Sequence, residues 1–170
     1  MSHRRRFRKP LLSQFPFLRL PLQILGFCLS IASYEPAEAS EASLRPLGIE
    51  LNSAIQDVRS RLDNVGARCE ESTSTVARGP LLSCRGNFEL DGLQQAQFLF
   101  SELGRLGGVV LTLPKQRWQS VNAALAERYR IERSLEPFVG DRSAHYRGAG
   151  GRVIAEAPHL SFEMSVTYAT

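Results

Sequence analysis

Few residues in this 170-residue chain are of types and spacings that could do chemistry. Cys69 and Cys84 stand 15 residues apart, and Asp141, Ser143 and His145 fall within five positions. Ser, His and Asp are the members of a nucleophilic triad. Triads are recognised by geometry, however, and residues of one short strand cannot be assumed to converge on a substrate. His145 therefore reads as an ordinary strand or turn residue. Either cysteine with His145 or His159 could form a thiol nucleophile or a metal site, yet neither lies in a C-x-x-C or other ligand-spaced motif. Glu89 and Asp91 are candidates for acid–base work, but with Leu90 and Gly92 they read as a solvated turn. Gly148-Ala149-Gly150-Gly151 marks a hairpin turn and not a phosphate loop, since neither a helix pattern nor Gly-Lys-Ser/Thr follows it. No catalytic residue, metal ligand or cofactor site is assigned, and an exported hydrolase or thiol enzyme stands as the rival reading.

The two cysteines make better sense as a disulfide, because the N-terminus reads as an export signal. Arg4, Arg5, Arg6, Arg8 and Lys9 precede an apolar stretch from Leu20 to Ser33, and Ala37-Glu38-Ala39 supplies the small-x-small cleavage pattern. Residues 1–39 are thus expected to be a leader, cut between Ala39 and Ser40. The apolar stretch, with Pro21 and Gln23 inside it, is shorter than the roughly 20 residues a membrane-spanning helix needs. Membrane contact is expected only through this segment before cleavage. The run Arg4-Arg5-Arg6-Phe7-Arg8-Lys9 resembles the twin-arginine signal but departs from it at His3 and Arg8. Cys28 follows Phe27, not the small residue of a lipoprotein signal. Export to the periplasm or the medium puts Cys69 and Cys84 where thiols pair.

Removing the leader also removes the basic character of the chain. Of 21 Lys+Arg and 17 Asp+Glu, residues 1–39 hold six basic and two acidic side chains, which leaves fifteen of each. Nucleic-acid binding rests on excess cationic charge and is not expected. The remaining 131 residues suit one domain with a core of its own.

Within that domain, residues 40–47 read as a flexible lead-in and Gly48-Ile49-Glu50-Leu51 as a short strand. Ser53 and Gln56 then have capping-box spacing, and Ile55, Val58, Leu62 and Val65 make one face of a helix ending at Gly66. Three strands are expected next, Leu81 to Phe88, Gln94 to Phe100 and Gly108 to Leu113; Glu70 to Ser83 reads as a mobile hairpin-like connection, and a Cys69–Cys84 bridge at its base would hold two strands in register. Trp118, Val121, Leu125 and Tyr129 define a second helix over Lys115 to Tyr129, which makes Trp118 and Tyr129 core residues. Strands follow over Arg142 to Arg147, Arg152 to Glu156 and Leu160 to Tyr168. In the last strand Leu160, Phe162, Met164, Val166 and Tyr168 are expected to share one face.

Each half is a helix followed by three strands, residues 48–113 and 114–170, and the halves align in pattern at an offset of about 62 to 67 residues. The expected fold is α+β: two tandem units forming one antiparallel sheet with both helices on one face. The motif Gly48-Ile49-Glu50-Leu51-Asn52-Ser53, leading into Asp57-Val58 and Leu62, resembles the opening of the helix-then-strands repeat of β-lactamase inhibitory protein and of small outer-membrane-assembly lipoproteins. That resemblance implies an exported, non-enzymatic protein whose sheet surface contacts other proteins. A face away from the helices would present Gln95, Gln97, Leu99, Glu163, Ser165 and Thr167, able to hydrogen-bond to a protein partner. The expected role is a protein-binding or envelope-associated module, with a structural envelope component as a further reading. The intact mass of the protein recovered from the envelope fraction, unreduced and exposed to a thiol alkylator, is expected to match residues 40–170, lighter by two hydrogens and unalkylated. A full-length or alkylated species would overturn both export and the disulfide.

Overall fold

The computed structural model describes residues 42–170. The expected leader, its cleavage point at Ala39 and Ser40, and Glu41 lie outside the described residues. The elements run α1 (Ile55–Asn64), β1 (Arg68–Thr73), β2 (Pro80–Arg85), β3 (Gln95–Phe100), β4 (Leu106–Pro114), α2 (Trp118–Arg128), β5 (Arg130–Leu135), β6 (Arg142–Gly148), β7 (Gly151–Ala157) and β8 (Glu163–Ala169). One antiparallel sheet takes all eight strands in the order β1-β2-β3-β4-β8-β7-β6-β5. The class is α+β, as expected.

Period-two alternation in the six inner strands builds the core. Antiparallel register lines up Leu82, Phe98, Val109, Tyr168, Val153 and Tyr146 as one buried row across the sheet. Cys84, Ala96, Leu111, Val166, Ala155 and Ala144 make the next. Each large apolar side chain in these rows contributes about 1.5–3 kcal/mol by leaving water. Helix α1 buries Val58 and Leu62. It stops as expected: Gly66 takes φ +67°, and the Ala67 amide donates to Leu62 O at 3.0 Å. Helix α2 buries Trp118, Asn122 and Leu125, with Tyr129 just past its end. The Asn122 amide donates to Trp118 O at 2.8 Å, and its Oδ1 accepts the Tyr146 hydroxyl of β6.

Four strands follow each helix, where three are expected from the sequence. The two additional strands, β1, which the cysteine pair alone signalled, and β5, which nothing signalled, are the sheet edges and are exposed along their whole length. With no buried face they carry no apolar alternation. Their charged residues Arg68, Glu70, Glu71, Arg130, Glu132 and Arg133 suit an edge that must not recruit another strand. Cys69 and Cys84 are register partners on β1 and β2 and are joined by a disulfide. The bridge holds the exposed edge strand to a fully buried position of its neighbour.

The segment before α1 also departs from expectation. Gly48 to Leu51 is not a strand: Pro46–Gly48 forms a 3₁₀ turn in which Leu47 and Gly48 have φ +52° and +75°. Ser53 does not cap α1. Its hydroxyl donates to Glu50 O at 2.8 Å, and Ala54 holds the N-cap position. The chain is pinned there by the Asn52 amide, which donates to Leu106 O at 2.7 Å. From Ala42 on, the expected lead-in is packed: Ser43 bridges Ala149, and Leu44 is buried. The β6–β7 turn makes room for it, since a Cβ at Gly148 would sit 2.8 Å from Leu44 and one at Gly151 2.7 Å from it.

Burial, reinforced by the nearby Glu136 carboxylate, holds the Tyr146 hydroxyl proton until about pH 12, against 10.0 when exposed. The unfolded chain gives up that proton first, so the stabilisation is complete below pH 10 and is lost as pH rises toward 12. Tyr146→Phe strands the Asn122 carbonyl and is expected to cost about 1–3 kcal/mol at neutral pH. The same variant should lose stability less steeply in alkali than the parent. Urea midpoints measured across the alkaline range check both, and parallel curves would contradict the second.

Candidate binding surface

Several of the side chains considered for catalysis have other partners. Ser143 and His145 lie two positions apart on β6, and among the described residues no hydrogen bond joins them to each other or to Asp141. The Asp141 carboxylate instead accepts the His159 backbone amide at 2.6 Å, while His159 Nδ1 accepts the Gly140 amide at 3.4 Å. Asp91 pairs with Arg117 at 2.9 Å, away from any partnership with Glu89. Cys69 and Cys84 are oxidised to the disulfide. Among the described residues no group of three or more His, Cys, Asp or Glu side chains could hold a metal ion. Nor is any helix there long and apolar enough to cross a membrane.

The six positions anticipated as a binding face come together. Gln95, Gln97 and Leu99 on β3 and Glu163, Ser165 and Thr167 on β8 flank β4 on the side opposite the buried rows. Register links Gln97 to Val110 and Thr167, and Gln95 to Thr112 and Ser165. The rows extend outward: Thr167 opposes Ile154, Ile154 opposes His145, and Leu99 opposes Leu81. All of these side chains are half-buried except Glu163, which is exposed. Leu81, Leu99, Val110 and Ile154 give the face an aliphatic centre. Sequence reasoning placed only Leu99 there, because the registers that bring in the other three join strands far apart in the chain.

Charge collects at one side of this centre. Arg130, Arg147 and Arg152 oppose one another across β5, β6 and β7, and Arg147 Nε donates to Glu132 at 2.8 Å. The edge row Gln95, Thr112, Ser165, Glu156, Ser143 and Leu135 leads to one end of the sheet, where two loops carry exposed apolar residues.

Those loops correct one expectation. Leu160 and Phe162 are not core: β8 starts at Glu163, and the two are 93% and 87% exposed. The chain turns there, with the Ser161 amide donating to Pro158 O and the Glu163 amide to the Ser161 hydroxyl. A period-two pattern read through Leu160 and Phe162 had carried the strand across this turn. Phe138 and Val139, in the β5–β6 loop, are also exposed. The two loops are tied by the Asp141–His159 and Gly140–His159 hydrogen bonds, and the Lys115 ammonium donates to Pro158 O and His159 O. Phe138-Val139 sits between Pro137 and Gly140-Asp141, and that turn composition was the available signal for an apolar loop tip.

Phe138→Ser and Phe162→Ser are expected to change unfolding free energy by no more than about 0.5 kcal/mol, as for surface positions. Phe98→Ala, in the fully buried row, should cost about 3–5 kcal/mol. Denaturant titration of the three variants makes the comparison, and a large loss at Phe162 would return it to the core. Comparison with family models, with curated proteins and with solved structures finds no match to this chain, and what the surface does must follow from its own residues.

Proposed function

We propose that the chain is an exported, non-catalytic module that binds a protein partner through the open face of its sheet and the apolar loop end beside it. One observation carries this reading: the aliphatic centre of Leu81, Leu99, Val110 and Ile154 runs by way of the Gln95–Leu135 row to the exposed Phe138, Val139, Leu160 and Phe162. An apolar centre with a polar, hydrogen-bonding rim is the anatomy of a protein–protein interface. Exposed apolar residues gathered at one place favour association over a merely solvated surface.

The architecture supports the same reading. We take the fold as two helix-plus-strand units that meet at β4 and β8, with both helices over the face opposite the proposed interface. The Tyr146–Asn122 hydrogen bond and the Arg59–Glu71 pair bring α2 to β6 and α1 to β1. This is the arrangement implied by the resemblance to the repeat of β-lactamase inhibitory protein, in which sheet surface is left free for partners. The disulfide favours an oxidising compartment, periplasmic or extracellular.

The test is cross-linking in intact envelope, with the captured partner then purified and titrated against the protein. Val110→Glu with Phe138→Ser should weaken the complex about 30-fold or more, the loss of a central anchor, while the thermal midpoint stays near that of the parent. Arg78→Glu, in the β1–β2 turn, should leave affinity unchanged. Equal affinity for all three proteins would remove the open face from the interface.

A further inference from the structure

The covered side of the sheet holds a separate feature. A cleft of about 290 Å³ opens between α2 and the segment carrying Leu47 and Gly48. Its size is near the lower end of small-molecule sites, about 300 Å³. Leu111 and Leu113 of β4 and Val166 of β8 form the floor, and Val121 and Leu125 of α2 one wall. Leu47 and Gly48, both with positive φ, line the opposite side. This cleft is independent of the proposed protein interface, because its floor belongs to the buried rows.

Polar groups gather at one end of this apolar space. Tyr129 and Tyr168 line it with ring centroids 6.4 Å apart in an edge-to-face arrangement. Both side chains are buried over most of their surface, and no hydrogen bond among the described residues occupies either hydroxyl, whose oxygen is not among the fully buried atoms. Two tyrosines that line one cleft with unoccupied hydroxyls offer donors to a ligand that accepts from them. Burial raises the Tyr168 pKa, Tyr129 raises it further, and the Arg128 guanidinium only partly opposes them. The hydroxyl therefore remains a donor at neutral pH. Arg128 also lines the cleft and has no carboxylate partner among the described residues. The second cation at the mouth, Arg45, is paired with Glu50. Glu89 lies on the exposed rim and is the single carboxylate in the lining.

We propose that this cleft binds a compact apolar carboxylic acid, its carboxylate held by Arg128 and the hydroxyls of Tyr129 and Tyr168 and its hydrocarbon lying on Leu111, Leu113 and Val166. Two hydroxyl donors beside an unpaired guanidinium suit the acceptor oxygens of a carboxylate. The aliphatic floor supplies no partner for a polar body.

The test is calorimetric titration of the protein, purified after expression of the full chain, with decanoate, decanol and decylamine. Decanoate is expected to bind saturably at one site and at least tenfold more tightly than decanol. Arg128→Gln and Tyr168→Phe should each weaken decanoate at least fivefold without changing decanol binding. Ala124→Trp, on the lining of α2, should block decanoate while far-ultraviolet circular dichroism stays that of the parent. Absent or unsaturable decanoate binding would overturn the proposal, as would equal affinity for decanol. Preference for decylamine would assign recognition to Glu89 and overturn it as well.

Discussion

The antiparallel pairing of β4 with β8 is the contact on which the rest of the structure depends. Seven register pairs, from Gly108 with Ala169 to Pro114 with Glu163, join the strand that ends the first four to the last strand of the chain. Without it β4 and β8 would each present an open edge, and the inward residues Val109, Leu111, Val166 and Tyr168 would face water. Their burial forms the middle of both core rows. The same pairing creates the middle of the open face, because Val110, Thr112, Ser165 and Thr167 point the other way from the same residues' neighbours. It also supplies the floor of the cleft beneath α2.

Placing β4 and β8 at the centre sends β1 and β5 to the outside. Both edges are exposed and carry charged side chains, and the disulfide secures the first of them. At the other edge the Arg147–Glu132 pair joins β6 to β5. Such a surface ion pair is worth little by itself, so the backbone ladder carries most of the attachment. The polar side chains nearest to a catalytic composition have structural duties instead. Asp141 and His159 lace two loops together, and Asn122 with Tyr146 ties a helix to the sheet. What remains exposed is apolar loop tips, beside a half-buried aliphatic sheet centre.

Much of the fold was legible in the sequence because burial writes a period into it. Val58 and Leu62, Trp118 and Leu125, and the alternation in β3, β4 and β8 each report a single buried face, so the two helices and six inner strands could be placed. Ser165, Thr167, Gln95 and Gln97 were legible as one face for the same reason. Cys69 and Cys84 were legible as a pair because a hairpin brings close neighbours in sequence together. Where no face is buried, no period is written: β5 left no trace, and β1 was signalled only by the cysteine pair at the base of its hairpin.

The sequence by itself determined which side chains of β3 and β8 point inward, where the helices stop and that the two cysteines pair. Only the tertiary structure decided that β8 returns to lie beside β4, that Leu44 packs under the Gly148–Gly151 turn, and that Leu160 and Phe162 leave the core at a turn. These depend on contacts between residues distant in the chain. Local periodicity carries information about the environment of one element, whereas strand order and register are set by which edges and apolar faces meet. The open face and the cleft both arise from that meeting, which is why Leu81, Val110, Ile154, Tyr129 and Tyr168 acquire their place in a surface only once the chain is folded.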